Sequence, residues 1–122
     1  MTTQGNLLDL GLRDYGEVWN LQRKLVELRA KKAIPDTLIL VEHPHVFTVG
    51  KAVAGQSPAV IDGVPVFRIE RGGQWTCHGL GQLVVYPILD LDARQRDIHG
   101  FLRNIEETII RALTKFGISG GR

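Results

Sequence analysis

Twelve residues, Arg71-Gly72-Gly73-Gln74-Trp75-Thr76-Cys77-His78-Gly79-Leu80-Gly81-Gln82, constrain the fold of this chain more than any other stretch. Four of the twelve are glycine, used where the backbone must take positive φ or approach another group closely, and each costs conformational entropy on folding. That density implies a surface built from main chain. Val64 to Ile69 ahead of it and Leu83-Val84-Val85-Tyr86-Pro87-Ile88 behind it read as strands, so the stretch reads as a loop crossing between two strands. Loops held by rigid strands are favoured places for binding sites.

At 122 residues the chain is one small domain or part of a larger one, and 43% hydrophobic with 23% charged residues is ordinary for a globular protein able to bury a core. A net charge of +2 is too mild to argue for nucleic acid. One cysteine excludes an internal disulfide and a multi-cysteine metal site, and favours a reducing compartment. Met1-Thr2-Thr3-Gln4-Gly5-Asn6 lacks the basic and apolar regions of a leader, and no run reaches membrane-spanning length. These features read together as a cytoplasmic chain with no membrane partner.

Leu7-Leu8-Asp9-Leu10 reads as a short strand ended by Gly11. Asp14 and Glu17 form a capping-box-like start, and Val18, Leu21, Leu25 and Leu28 recur at helical spacing, which predicts a helix from about Tyr15 to Lys31. Arg23, Lys24, Arg29, Lys31 and Lys32 read as a solvated basic face near the negative end of the helix dipole. Thr37 to Val41 predicts a strand buried on both faces, and Glu42-His43-Pro44-His45 turns the chain into a second strand, Val46 to Val49, stopped by Gly50. His43 and His45 have no matching third ligand nearby, so no metal site is expected. Lys51 to Gly63 reads as loop with an Asp62-Gly63 turn, and Asp90 to Arg96 as a charged connection. Asp97 caps a predicted second helix whose apolar face runs through Ile98, Phe101, Leu102, Ile105, Ile109, Ala112, Leu113 and Phe116, with Gly117 just past its end. That face needs a sheet to pack against. The order predicts an α+β fold, a mixed sheet with two helices packed on it.

Arg71 to Ile88, read as R-G-G-x-x-T-x-H-G-x-G-Q-L-V-x-Y-P-I, resembles the signature of the octanoyltransferases of lipoate biosynthesis. Glu42-His43-Pro44 with Val46-Phe47-Thr48-Val49-Gly50 resembles that family's earlier E-H-x-x-V-x-T-x-G segment. The resemblance implies the biotin and lipoate protein ligase fold. It also implies transfer of octanoyl from acyl carrier protein, through a cysteine thioester, to a lysine of a lipoyl domain, as in 2-oxoacid dehydrogenase complexes and the glycine cleavage H protein. No cofactor is implied. Residues 1–122 would be the N-terminal part of one catalytic domain, incomplete at its C-terminus, with the family's nucleophilic Cys and its Lys beyond Arg122. Alternatives are a lipoate or biotin ligase of the same fold, which activates its acid with ATP, and a truncated or split half that binds acyl groups or a partner without turnover. His78-Gly79-Leu80-Gly81-Gln82 favours the transferase over the ligase.

By the same resemblance, Arg71, Gly72, Gly73, Gln74, Trp75, Thr76, Cys77 and His78 line the acyl-substrate pocket. Chemically, amides at Gly72 and Gly73 suit a carbonyl oxygen, and Trp75 or Val85 suits an alkyl chain. Arg71 has two roles open to it, lining the pocket or pairing with Glu70 or Glu42 to brace the loop; His78 is either a pocket group or a structural hydrogen-bonder. Thr76 and Gln82 read as orienting groups. Cys77 stands where the family usually has an aromatic residue and, in an extended segment, faces away from His78. It reads as an inert packing residue rather than a nucleophile. Leu80 replaces the family's usual proline and loosens a turn.

Overall fold

The computed structural model describes residues 4–92 and 97–122, so the first three residues and the end of the charged Asp90 to Arg96 connection lie outside the described residues. The chain divides into two compact units, residues 1–89 and 90–122. Among the described residues no helix is long and apolar enough to cross a membrane.

The first unit holds seven strands and one helix. Strand β1 (Asn6–Leu12) pairs in parallel with β2 (Thr37–Glu42), and β2 pairs antiparallel with β7 (Val84–Ile88), giving a mixed sheet in the order β1-β2-β7. The expected stop at Gly11 is not observed. At φ +60 Gly11 forms a bulge, its amide donating to the Asp9 side chain, and the register shifts between Asp9 and Leu12 while pairing continues.

Helix α1 (Tyr15–Ala30) starts where Asp14 accepts a hydrogen bond from the Glu17 amide. Its Val18, with Leu21 and Leu25, packs on Ile39, Val41 and Ile88 of the sheet, joined by Leu8, Leu10, Val84 and Tyr86. Burying a large aliphatic side chain contributes about 1.5–3 kcal/mol, so this layer is the stabilising core of the unit. The strand expected to be buried on both faces is buried on one: Thr37, Ile39 and Val41 are inside, whereas Leu38 is 39% exposed. An unbroken apolar run carries no period, so the sequence conceals the alternation that α1 imposes by covering one side.

The remaining strands form a second mixed sheet in the order β4-β5-β3-β6, comprising β3 (Val46–Val49), β4 (Val60–Ile61), β5 (Val64–Arg68) and β6 (Trp75–His78). The strands expected in one mixed sheet are thus shared between two. Strand β4 was expected as loop; it pairs with β5 through a two-residue turn in which Asp62 and Gly63 both take positive φ, the primed geometry that matches strand twist. Strand β6 lies inside the glycine-rich stretch, which is therefore not wholly loop. Thr48 faces Thr76 and Val46 faces His78 across the β3–β6 ladder.

The second unit is built on α2 (Ile98–Thr114), where the Asp97 side chain accepts from the Gly100 amide and Gly117 follows at φ +73. None of its residues is buried, and Leu102 and Ile109 on its apolar face are each about half exposed.

Candidate functional site

The site grows from the alternation of β6. Thr76 and His78 are half-buried on one face, and Trp75 and Cys77 are exposed on the other. Period-two geometry thus splits the predicted lining into two sets.

On the inner face, Arg71 is a brace. Its Nη2 donates to the Thr48 carbonyl at 3.1 Å, the Thr48 hydroxyl at 2.9 Å, the Gln74 carbonyl at 2.9 Å and the Thr76 hydroxyl at 3.0 Å. Its Nη1 donates to the Gly72 carbonyl. The two Nη2 hydrogens are shared among these four acceptors, while the rigid planar fork presents Nη1 to Gly72 at the same time. The brace does not use the carboxylate partner considered for it: Glu70 instead takes Arg23 at 2.7 Å, and its contact with its own backbone, followed by Arg23, holds its pKa low.

The loop is tied down a second time through main chain. Gly50, Lys51 and Ala52 amides donate to the carbonyls of Gln74, Arg71 and Gly73. A side chain at Gly50 would lie 2.4 Å from the Gly73 carbonyl and 2.6 Å from that of Gly72. The carbonyls of Gly72 and Gly73 are therefore the engaged groups, and Gly73 takes φ +81.

His78 sits in an aromatic and imidazole cluster. Its ring lies parallel to Tyr15 at 6.3 Å and edge-on to His43 at 6.3 Å, and its Nδ1 bonds the Gln82 side chain. His43 is fully buried, its Nδ1 2.8 Å from the Arg13 carbonyl and its Nε2 2.9 Å from the Tyr86 hydroxyl. A carbonyl only accepts, so Nδ1 carries the proton and Nε2 accepts from Tyr86. Burial, more than the neighbouring His78, lowers the His43 pKa; burial likewise raises those of Tyr15 and Tyr86, keeping both phenols neutral.

Tyr15, His43 and Tyr86 were not among the predicted lining residues. Tyr86 and His43 fall within the two motif segments but carry no lining role in the sequence reading, where His43 is weighed only as a metal ligand with His45; His45 is exposed and covers Gly79. They come from the start of α1, the residue after β2 and the middle of β7, so only the tertiary packing brings them together.

On the outer face, Trp75 meets Phe47 edge-on, and these two with Ile61, Thr76 and Cys77 line an open apolar hollow of about 390 Å³. Cys77 is exposed, contrary to the packing role expected of it, with its Sγ near the His78 carbonyl. Val85 lies on β7 in the other sheet and is not among the residues lining this hollow.

With its glycine loop strapped to β3 and its mixed sheets carrying α1, the chain belongs to the lipoyl protein ligase A/B catalytic domain family, matching it over residues 14–122. Within that family the curated relatives it resembles are octanoyltransferases. That of Rubrobacter xylanophilus is 49% identical over 119 residues, that of Gloeobacter violaceus 43% over 119, and that of Nocardia farcinica 44% over 121. These alignments cover 92%, 95% and 99% of this chain but 53%, 53% and 48% of the relatives, so the chain spans about half their length.

Proposed function

We propose that this chain serves octanoyl transfer, supplying the surface that receives the octanoyl thioester of acyl carrier protein before the acyl group passes to a lysine of a lipoyl domain. The observation that carries the reading is the strapped loop beside His78: with the Gly72 and Gly73 carbonyls turned into the fold, their amides are the groups left to meet a thioester carbonyl oxygen. Arg71 spends its donors on Thr48, Gln74 and Thr76, so it holds that surface rather than binding the substrate as a charge.

In the thioester route a thiolate adds to the carrier-bound acyl carbonyl and expels the carrier thiol; a lysine amine then takes the acyl group and releases the thiolate. Cys77 lies on the outer face of β6, away from His78, so the inner face binds and orients rather than attacks. The acceptors implied are lipoyl domains of 2-oxoacid dehydrogenase complexes and the glycine cleavage H protein, met in the cytoplasm.

The test is amide NMR of the 122-residue chain titrated with octanoyl-acyl carrier protein. Shifts at Gly72, Gly73 and His78 that unacylated carrier does not cause are expected, with no transfer to a lipoyl domain by the chain alone. Shifts produced only by octanoate with ATP would move the assignment to an acid-activating ligase, and transfer by the chain alone would show that its own residues suffice.

A further inference from the structure

The segment after β6 returns on itself. The Gln82 amide donates to the Gly79 carbonyl at 3.2 Å, Gly81 takes φ +85, and the Gln82 side chain arrives at His78 with Oε1 2.5 Å from Nδ1. At the other end of the turn Gly79 lies under the exposed His45 ring, which would have to move aside for a side chain there. This geometry returns a neutral acceptor to the ring four residues earlier. An amide oxygen only accepts, so the nitrogen it faces must carry the proton. Which ring nitrogen is protonated is set by the bond the other makes.

We propose that Gln82 is a positioning residue that fixes His78 in its Nδ1–H tautomer and leaves Nε2 as the lone-pair nitrogen offered to a ligand. The free imidazole carries its proton mostly on Nε2, so this is a reversal imposed by one side chain. Tyr15 lies parallel to the ring and His43 edge-on to it, the two packing from one side with their own ring centroids 5.2 Å apart. His43 is locked in the same tautomer by the Arg13 carbonyl and offers His78 no competing donor, because its own Nε2 takes the Tyr86 hydroxyl. The titratable groups against His78 are thus His43 and Tyr15, with Arg71 and Glu70 reaching the cluster through Tyr15. A neutral amide orients the ring without charging it. The role of Nε2 as the ligand-facing nitrogen rests on the octanoyl-transfer reading; the tautomer does not.

The experiment is long-range proton–nitrogen NMR of the His78 ring in the 122-residue chain, at a pH where the imidazole is neutral, for the unsubstituted chain, Gln82→Met and Gln82→Glu. The expected result is a protonated Nδ1 and bare Nε2 in the unsubstituted chain, reversion toward protonated Nε2 in Gln82→Met, and a retained Nδ1 proton in Gln82→Glu, whose carboxylate oxygens can only accept. A proton on Nε2 in the unsubstituted chain would overturn the proposal by showing the amide turned the other way. An unmoved tautomer in folded Gln82→Met would equally overturn it. Should Gln82→Met fail to fold, the near-isosteric Gln82→Glu decides: a proton on Nε2 with a bare Nδ1 refutes. Since no acyl ligand is present, failure of the transfer reading would leave this result intact.

Discussion

At the scale of single residues, the site is held by groups whose replacements have little room. Gly50 has positive neither φ nor flexibility to recommend it; it is glycine because two carbonyls and the Arg71 guanidinium occupy the space of a Cβ, at 2.4, 2.6 and 2.8 Å. Gly50→Ala must push the 71–74 segment away and strain three main-chain hydrogen bonds. The expected loss is about 1–3 kcal/mol in a denaturant melt, together with sharply faster hydrogen exchange at the Lys51 and Ala52 amides. His43 carries a second prediction. Its folded pKa lies below the ordinary 6.5 because burial penalises the charged ring, so the unfolded chain takes up a proton first as pH falls. Stability is therefore unaffected by His43 above about pH 7 and falls as pH drops through 6.5 toward the lower folded value. Melts at pH 7.5 and 5.5 should show this loss, and His43→Gln should be less stable at pH 7.5 but lack that part of the acid dependence. An identical acid slope in the variant would assign the loss to other groups.

At the scale of elements, what the sequence made legible followed local rules. Asp14 and Asp97 cap their helices because short acidic side chains satisfy first-turn amides, and Asp62-Gly63 turns because both residues tolerate positive φ. Strand β6 was hidden because glycines on both sides look like loop, whereas the ladder to β3 is a long-range pairing with no local mark. The bulge at Gly11 was hidden for the same reason. The link between α1 and β2 offers a test of a tertiary contact that sequence also concealed. Arg29 Nε meets Asp36 Oδ1 at 2.8 Å with both side chains largely buried, and the Asp36 carbonyl accepts from the Asn6 amide, joining the end of α1 to the start of β1. Removing one member of a buried pair strands the other in a poor solvent. Asp36→Ala is therefore expected to destabilise the chain by about 2–4 kcal/mol, more than removal of a member of a solvent-screened exposed pair such as Arg23–Glu70. Parallel melts of Asp36→Ala and Glu70→Ala check the ranking.

At the scale of the whole molecule, the unexpected feature is how much apolar surface is left outside. The strand register sets Leu7 opposite Leu38 on β1 and β2, and Leu40 opposite Val85 on β2 and β7, on the face of the three-stranded sheet that does not carry α1. Leu7 is 63% and Val85 46% exposed. Composition did not reveal this, because the run Leu38-Ile39-Leu40-Val41 is equally apolar whether one face or both are covered. Isolated exposed leucines are normal, but a contiguous apolar sheet face marks either an interaction surface or an association hazard. The expected consequence is concentration-dependent self-association of the 122-residue chain, seen as a rise in mean mass in sedimentation equilibrium. Paired substitution Leu38→Lys with Val85→Lys should suppress it without lowering the melting transition by more than about 1 kcal/mol, since neither side chain belongs to the buried layer under α1. If the unsubstituted chain stays monomeric across that concentration range, the face does not drive assembly. If the double variant instead unfolds, these positions are packed more tightly than their exposure implies, and the layer under α1 is not the sole core of the first unit.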